Sequence, residues 1–186
     1  MGRASTAPLA IGFLTVAEHQ PHGLFGGLLV VDAGGRPLEF HCTAPVKTNR
    51  AQEILFGPTL ESYLYGEQIG HTLFASARHG PLVACTDSHH VLAMRAHVSV
   101  PVVLVEPPGD KAAAATPQLR LDAAHSRGPR LVSFSLGQHK LAIEADHASE
   151  QAAVMAHLEP LAARWDLSEP FTRIREAIDE AQRSGR

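Results

Sequence analysis

Neither sign of charge dominates this sequence. Its 16 Lys and Arg stand against 19 Asp and Glu, a net charge of −3, which supplies no electrostatic footprint for nucleic acid or an anionic membrane. No apolar run reaches the roughly 18 residues of a membrane-crossing helix, and Met1–Val16 lacks a long apolar stretch of the secretory type. A cytoplasmic location is therefore expected. The two cysteines, Cys42 and Cys85, are too few for a disulfide framework and are expected as thiols. Short signatures of known chemistry are also missing: P-loop, GxGxxG fingerprint, GxSxG elbow, HExxH helix and CxxC pair. Gly23, Gly26 and Gly27 precede a strand rather than a helix, so they do not form a phosphate loop. These absences lean away from an enzyme without naming another role.

What is present is an ordinary globular balance, 45% hydrophobic and 19% charged over 186 residues, enough for one good core. The organising stretch is Phe25–Val46. Gly27–Val31 is uninterrupted, apolar and rich in β-branched residues, as a strand covered on both faces requires. Ala33-Gly34-Gly35 supplies a tight turn. The next strand alternates, with Leu38, Phe40, Cys42 and Ala44 on one face and Glu39, His41 and Thr43 on the other. Cys42 is thus expected in the core, and Pro45 to end the strand.

Ile11–Val16 reads as a first strand, completing an antiparallel meander. Thr48 is placed to cap a helix over 49–56, closed by Gly57-Pro58. A second helix over 60–65 should break near Gly66 and Gly70. Pro81 introduces the apolar run LVACT, Asp87 or Ser88 can cap a helix over 89–96, and Pro101 opens VVLVE. Strand, helix, strand with apolar strands predicts a βαβ unit. After a linker at 107–130, Leu131–Leu136 and 141–145 predict a second hairpin. Ser149 and Ser168 are placed to cap two final helices. Val154, Leu158, Leu161 and Trp165 stripe the first, with Pro160 a kink. Phe171, Ile174 and Ile178 stripe the second.

The segments PLEFHCTAPV, AQEILFGPTLESYLYGEQIG and EPFTRIREAI resemble a family of uncharacterised bacterial proteins, over most of Gly12–Ala181. The resemblance implies one coherent globular unit and assigns no activity, ligand or catalytic residue. The predicted fold is α/β: a three-layer mixed sheet with an N-terminal meander, a βαβ unit, a second hairpin and two C-terminal helices. A meander followed by helix, strand, helix, strand is also the order of ribonuclease-H-like folds, a topological analogy only. The expected organisation is an α/β core over 8–106, the linker at 107–130, and the hairpin with its helices over 131–183 packed on that core.

The richest chemical cluster is Cys85-Thr86-Asp87-Ser88-His89-His90, at the carboxyl end of a predicted parallel strand and the start of a helix. Free backbone N–H groups there favour an anion. Thr86, Asp87, Ser88, His89 and His90 are the candidate ligand residues, with His41 and Thr43 as neighbours if their strand end lies alongside. Cys85, Asp87, His89 and His90 could hold a divalent metal. The plainer alternative makes Cys85 a buried hydrophobe, Asp87 a helix cap and the histidines surface residues. His19 and His22 span a turn and have no enforced alignment. A ribonuclease-H-like nuclease needs several carboxylates, including one from the first strand, and Ile11–Val16 has none. Arg173, Arg175 and Arg183 interleave with Glu176, Asp179 and Glu180 on a mixed-charge last helix.

The leading expectation is a non-catalytic binding module: an adaptor, an assembly subunit or a small-ligand protein, with a protein partner or homo-oligomer and no cofactor. The alternatives are a metal-dependent hydrolase built on Cys85–His90 and a degenerate nucleic-acid-associated module of ribonuclease-H-like topology.

Overall fold

A computed structural model describes residues 9–107 and 130–184. Seven strands form one mixed sheet: β1 (Ala10–His19), β2 (Gly23–Asp32), β3 (Pro37–Cys42), β4 (Ala84–Thr86), β5 (Val102–Val105), β6 (Leu131–Leu136) and β7 (His139–Glu144). The order is β3-β2-β1-β4-β5-β7-β6. β1 pairs antiparallel with β2 and β2 with β3, so the meander predicted from the sequence is present. β4 lies parallel to both β1 and β5, as the βαβ pattern requires. The second hairpin, β6–β7, joins the same sheet through β5 and β7. The segment after the linker therefore extends the sheet of the segment before it. Nearly all of the linker, residues 108–129, lies outside the described residues, as do the first eight.

Alternation along the strands sends successive side chains to opposite faces, and each face has its own core. Ile11, Phe13, Leu29, Val31, Cys85 and Val103 pack with two helices, α4 (Gln151–Ala162) and α5 (Glu169–Ser184). Ala10, Leu14, Leu28, Val30 and Ala84 face the other way, against Ile69, Leu73, Val91 and Met94. Helix, sheet and helix make three layers, as read from the sequence. The element order behind the ribonuclease-H-like analogy is present too, with one hairpin added beyond β5. The second C-terminal stripe is realised, with Phe171, Ile174 and Ile178 buried; the first is realised in Val154, Leu158 and Leu161, but Trp165 falls beyond the end of its helix and is only partly buried. Each residue so buried stabilises by about 1.5–3 kcal/mol before the entropy of ordering is counted.

Several local expectations are overturned. α1 (Arg50–Phe56) is capped by Asn49, not Thr48. Asn49 Oδ1 accepts from the Gln52 N–H at 2.9 Å, and Gln52 Oε1 accepts from the Asn49 N–H at 3.1 Å, a reciprocal capping box. Ser149 caps nothing. It lies in a 3-10 turn over Ala145–Glu150 that leads into α4, whose N-cap position is Glu150. Nor does the second helix break at its glycines. α2 (Leu60–Ser62) runs on as a π-helix over Tyr63–His71 and ends as α3 (Thr72–Ala75). A Cβ on Gly66 would stand 2.8 Å from both Ala93 Cβ and the Met94 nitrogen. The glycine is there for close helix approach, which outweighs its poor propensity.

β3 departs most from its sequence pattern. Val30 pairs with Glu39 but Val31 with Pro37, so Leu38 is an extra residue in a bulge. Leu38 packs with the Leu28–Val30 face, while Phe40 lies beside Gly27 and Ile174 on the other. Phe40 and Cys42 are exposed, not buried. The physical reason is position. β3 is an edge strand, and α5 covers this side of the sheet as far as Gly27, over which Ile174 and Ile178 sit.

Candidate functional site

The end of β4 is where the sequence placed the chemistry. Cys85 and Asp87 do share a face, the one covered by α5. Cys85 is fully buried among apolar side chains, and that burial pushes its thiol well above the ordinary range. Asp87 does not cap the following helix. Its Oδ2 takes an ion pair from Arg175 of α5, and the same guanidinium nitrogen donates to the hydroxyl of Thr15 at 3.1 Å. Thr15 is fully buried on β1. Asp87 Oδ1 is buried without a protein partner. One arginine thus pins α5 to the middle of β1 and to the residue that follows β4, which accounts for its place in the mixed-charge helix.

The helix after Asp87 is a 3-10 helix over His89–Ala96. Its N-cap position, Ser88, makes no side-chain capping bond, and the Ser88 N–H turns back to Thr86 Oγ1 at 3.2 Å. Val91, Leu92 and Met94 anchor this helix on the face opposite α5. His90 goes with it: its Nε2 is 2.7 Å from Glu61 Oε2, and its ring lies 5.5 Å from that of Tyr65 and 3.8 Å from that of His89. Burial and then the neighbouring His89 push His90 below the ordinary histidine range, against the opposing pull of Glu61. The four candidate metal residues are therefore split, Cys85 and Asp87 on one face of the sheet and His90, with exposed His89 against its ring, on the other. Among the described residues no group of three or more His, Cys, Asp or Glu is placed to hold a metal ion.

His41 and Thr43 do not join this end either. β2 and β1 stand between β3 and β4, about 14 Å at ordinary strand spacing. Thr43 Oγ1 accepts from the Gly26 N–H at 2.9 Å. His41 Nε2 lies 2.9 Å from Glu39 Oε2. Glu39 is the better-built feature here, and nothing in the sequence pattern marks it. Its carboxylate also accepts the backbone N–H groups of Arg78 and His79, both at 2.9 Å, and lies 3.1 Å from His79 Nδ1. Burial pushes its pKa up. The His79 N–H, the His41 ring, the Arg78 N–H and the His79 ring outweigh that, bringing it from 4.5 to about 2. The result is a clasp that holds the 76–80 loop on the edge strand.

The remaining unusual surface surrounds α1. None of its residues is buried, and Ile54 and Leu55 are 66% and 81% exposed. Phe56 stacks on Tyr63 at 4.2 Å, tying its end to the π-helix. Beside it, a cleft of about 370 Å³ opens between the β1–β2 turn, the segment leading into α1, and α2 with the start of the π-helix. Leu24, Val46 and Leu64 line it, with Tyr65, Glu18 and Glu61. The two carboxylates raise the Tyr65 hydroxyl further after burial has done so. Lys47 also lines the cleft. His90 reaches its rim through Glu61. Sequence reading placed the helix but not its exposure. The signal was three consecutive apolar residues, Ile54-Leu55-Phe56, on a helix too short to bury them on one face.

No protein-family model matches the chain, and no curated protein matches it. Among the described residues no helix is long and apolar enough to cross a membrane.

Proposed function

We propose that the chain is a non-catalytic protein-binding module, an adaptor or assembly subunit, whose contact surface is α1 with the cleft at its base. The observation that carries this reading is a well-capped helix with no buried residue, tied down by Phe56 on Tyr63, that offers Ile54 and Leu55 to solvent. A seven-residue helix is marginal in isolation, and adjacent exposed aliphatic side chains beside a concave, partly apolar wall are what a partner would cover. The Cys85–His90 region is spent internally, on the core, on Arg175 and on Glu61.

A photo-crosslinking residue placed at position 55 tests this in the native host extract. Specific crosslinked partners are expected from position 55 and not from exposed Arg164, in the turn after α4. Equal, nonspecific labelling from both positions would refute the reading.

A further inference from the structure

We infer that the occupant of this surface is a second copy of the same chain, each copy laying its α1 into the cleft of the other. The inference rests on the binding-module reading and adds the partner. Its first support is charge complementarity. Arg50 and Ile54 are four residues apart and share one face of α1. The cleft offers matching chemistry, with Leu24, Val46 and Leu64 as aliphatic wall and Glu18 and Glu61 as acceptors beside one cation, Lys47; Glu61 already meets His90 at 2.7 Å but is 65% exposed, so its carboxylate can be shared. Arg50 is available. Its side chain is 82% exposed, and its pairing with Glu53 at 3.1 Å is within its own helix, an exposed bond that contributes little and is easily exchanged.

The second support is placement. The cleft includes Val46, Lys47 and Thr48 on one side of α1 in the chain, and Leu60 and Glu61 on the other. Donor helix and acceptor cleft thus belong to one continuous surface. A two-fold pair needs that self-complementarity, because residue i must meet residue j while j meets i. Reciprocal exchange makes every contact twice, so a modest element can form a usable interface. With an apolar centre of only two strongly exposed side chains per copy, a dissociation constant in the micromolar range is expected, on the order of 1–100 μM.

Sedimentation of the full chain over roughly 1–300 μM, a range bracketing that affinity, tests the inference. Four variants accompany the wild type: Leu55→Asp, Arg50→Glu, Glu61→Arg, and Arg50→Glu with Glu61→Arg together. Wild type is expected to pass from monomer to dimer. Leu55→Asp should remain monomeric. Each single charge reversal should weaken association at least tenfold, and the double reversal should restore it. Circular dichroism should be unchanged throughout, since all three side chains are exposed; thermal melting should be unchanged for the Arg50 and Leu55 variants and slightly lowered where Glu61 gives up its contact with His90.

A wild type that stays monomeric overturns the inference, as does a dimer indifferent to Leu55→Asp. A double reversal that fails to recover overturns the exchanged geometry. If wild type is monomeric while position 55 still crosslinks a different protein, the binding-module reading survives and only the second copy is lost. If both fail, so does that reading.

Discussion

Replacing Glu39 with Gln isolates one carboxylate whose charge the fold uses. In the folded chain its carboxyl is brought from 4.5 to about 2 by the His79 and Arg78 N–H groups and the two imidazoles, against the opposing effect of burial. At full value a displacement of that size corresponds to roughly 3 kcal/mol. Glu39 sits on an edge strand, where solvent screens such bonds, so about 1–2 kcal/mol is the realistic expectation. The sign follows from the direction. A folded-state pKa below the unfolded one stabilises above about pH 4.5, and that stability drains as pH falls toward about 2. Urea unfolding of wild type and Glu39→Gln at about pH 5 and about pH 3 reads it directly. The lowered carboxyls of Glu150 and Asp166 also lose stability in acid, but they are common to both proteins and cancel. The gap between the proteins should shrink by more than half from pH 5 to pH 3. Amide exchange at Arg78 and His79 should be faster in the variant at the higher pH. An equal gap at both pH values would show that Glu39 acts through shape and not through its charge.

Two further outcomes check the fold. A thiol reagent should label Cys42 in the native protein and reach Cys85 only on unfolding, since the first is exposed on the edge strand and the second is sealed in the core; native labelling of both would contradict the packing of β4. Gly66→Ala should destabilise by about 1–3 kcal/mol despite alanine's better helix propensity, because the new methyl would press on Ala93 and the Met94 backbone; a neutral or stabilising result in thermal melts would mean that the two helices are not held so close.

The layer architecture was legible in the sequence because it depends on periodicity. Continuous apolar runs at Gly27–Val31 and Val102–Val105, alternation at Leu131–Leu136, and the stripe Phe171, Ile174, Ile178 each state which faces must be dry. That is enough to order strands and helices and to require a sheet covered on both sides. The same patterns misled at β3. Alternation there pointed to a buried Cys42, but burial depends on what lies across the sheet, and only the tertiary structure shows α5 reaching as far as Gly27. Local rules likewise nominated Thr48, Ser149 and either Asp87 or Ser88 as helix caps. Asn49 and Glu150 occupy two of those positions, Ser88 holds the third without a side-chain bond, and Asp87 is taken by an arginine 88 residues later, a partner that no short window contains. The clasp on Glu39 unites residues about 40 apart for the same reason. Sequence alone thus determined most of the elements and, outside β3, their dry faces, which follow from near neighbours along the chain. Exposure, charge pairing and the surface around α1 were decided by which elements the fold brings together and which it leaves uncovered.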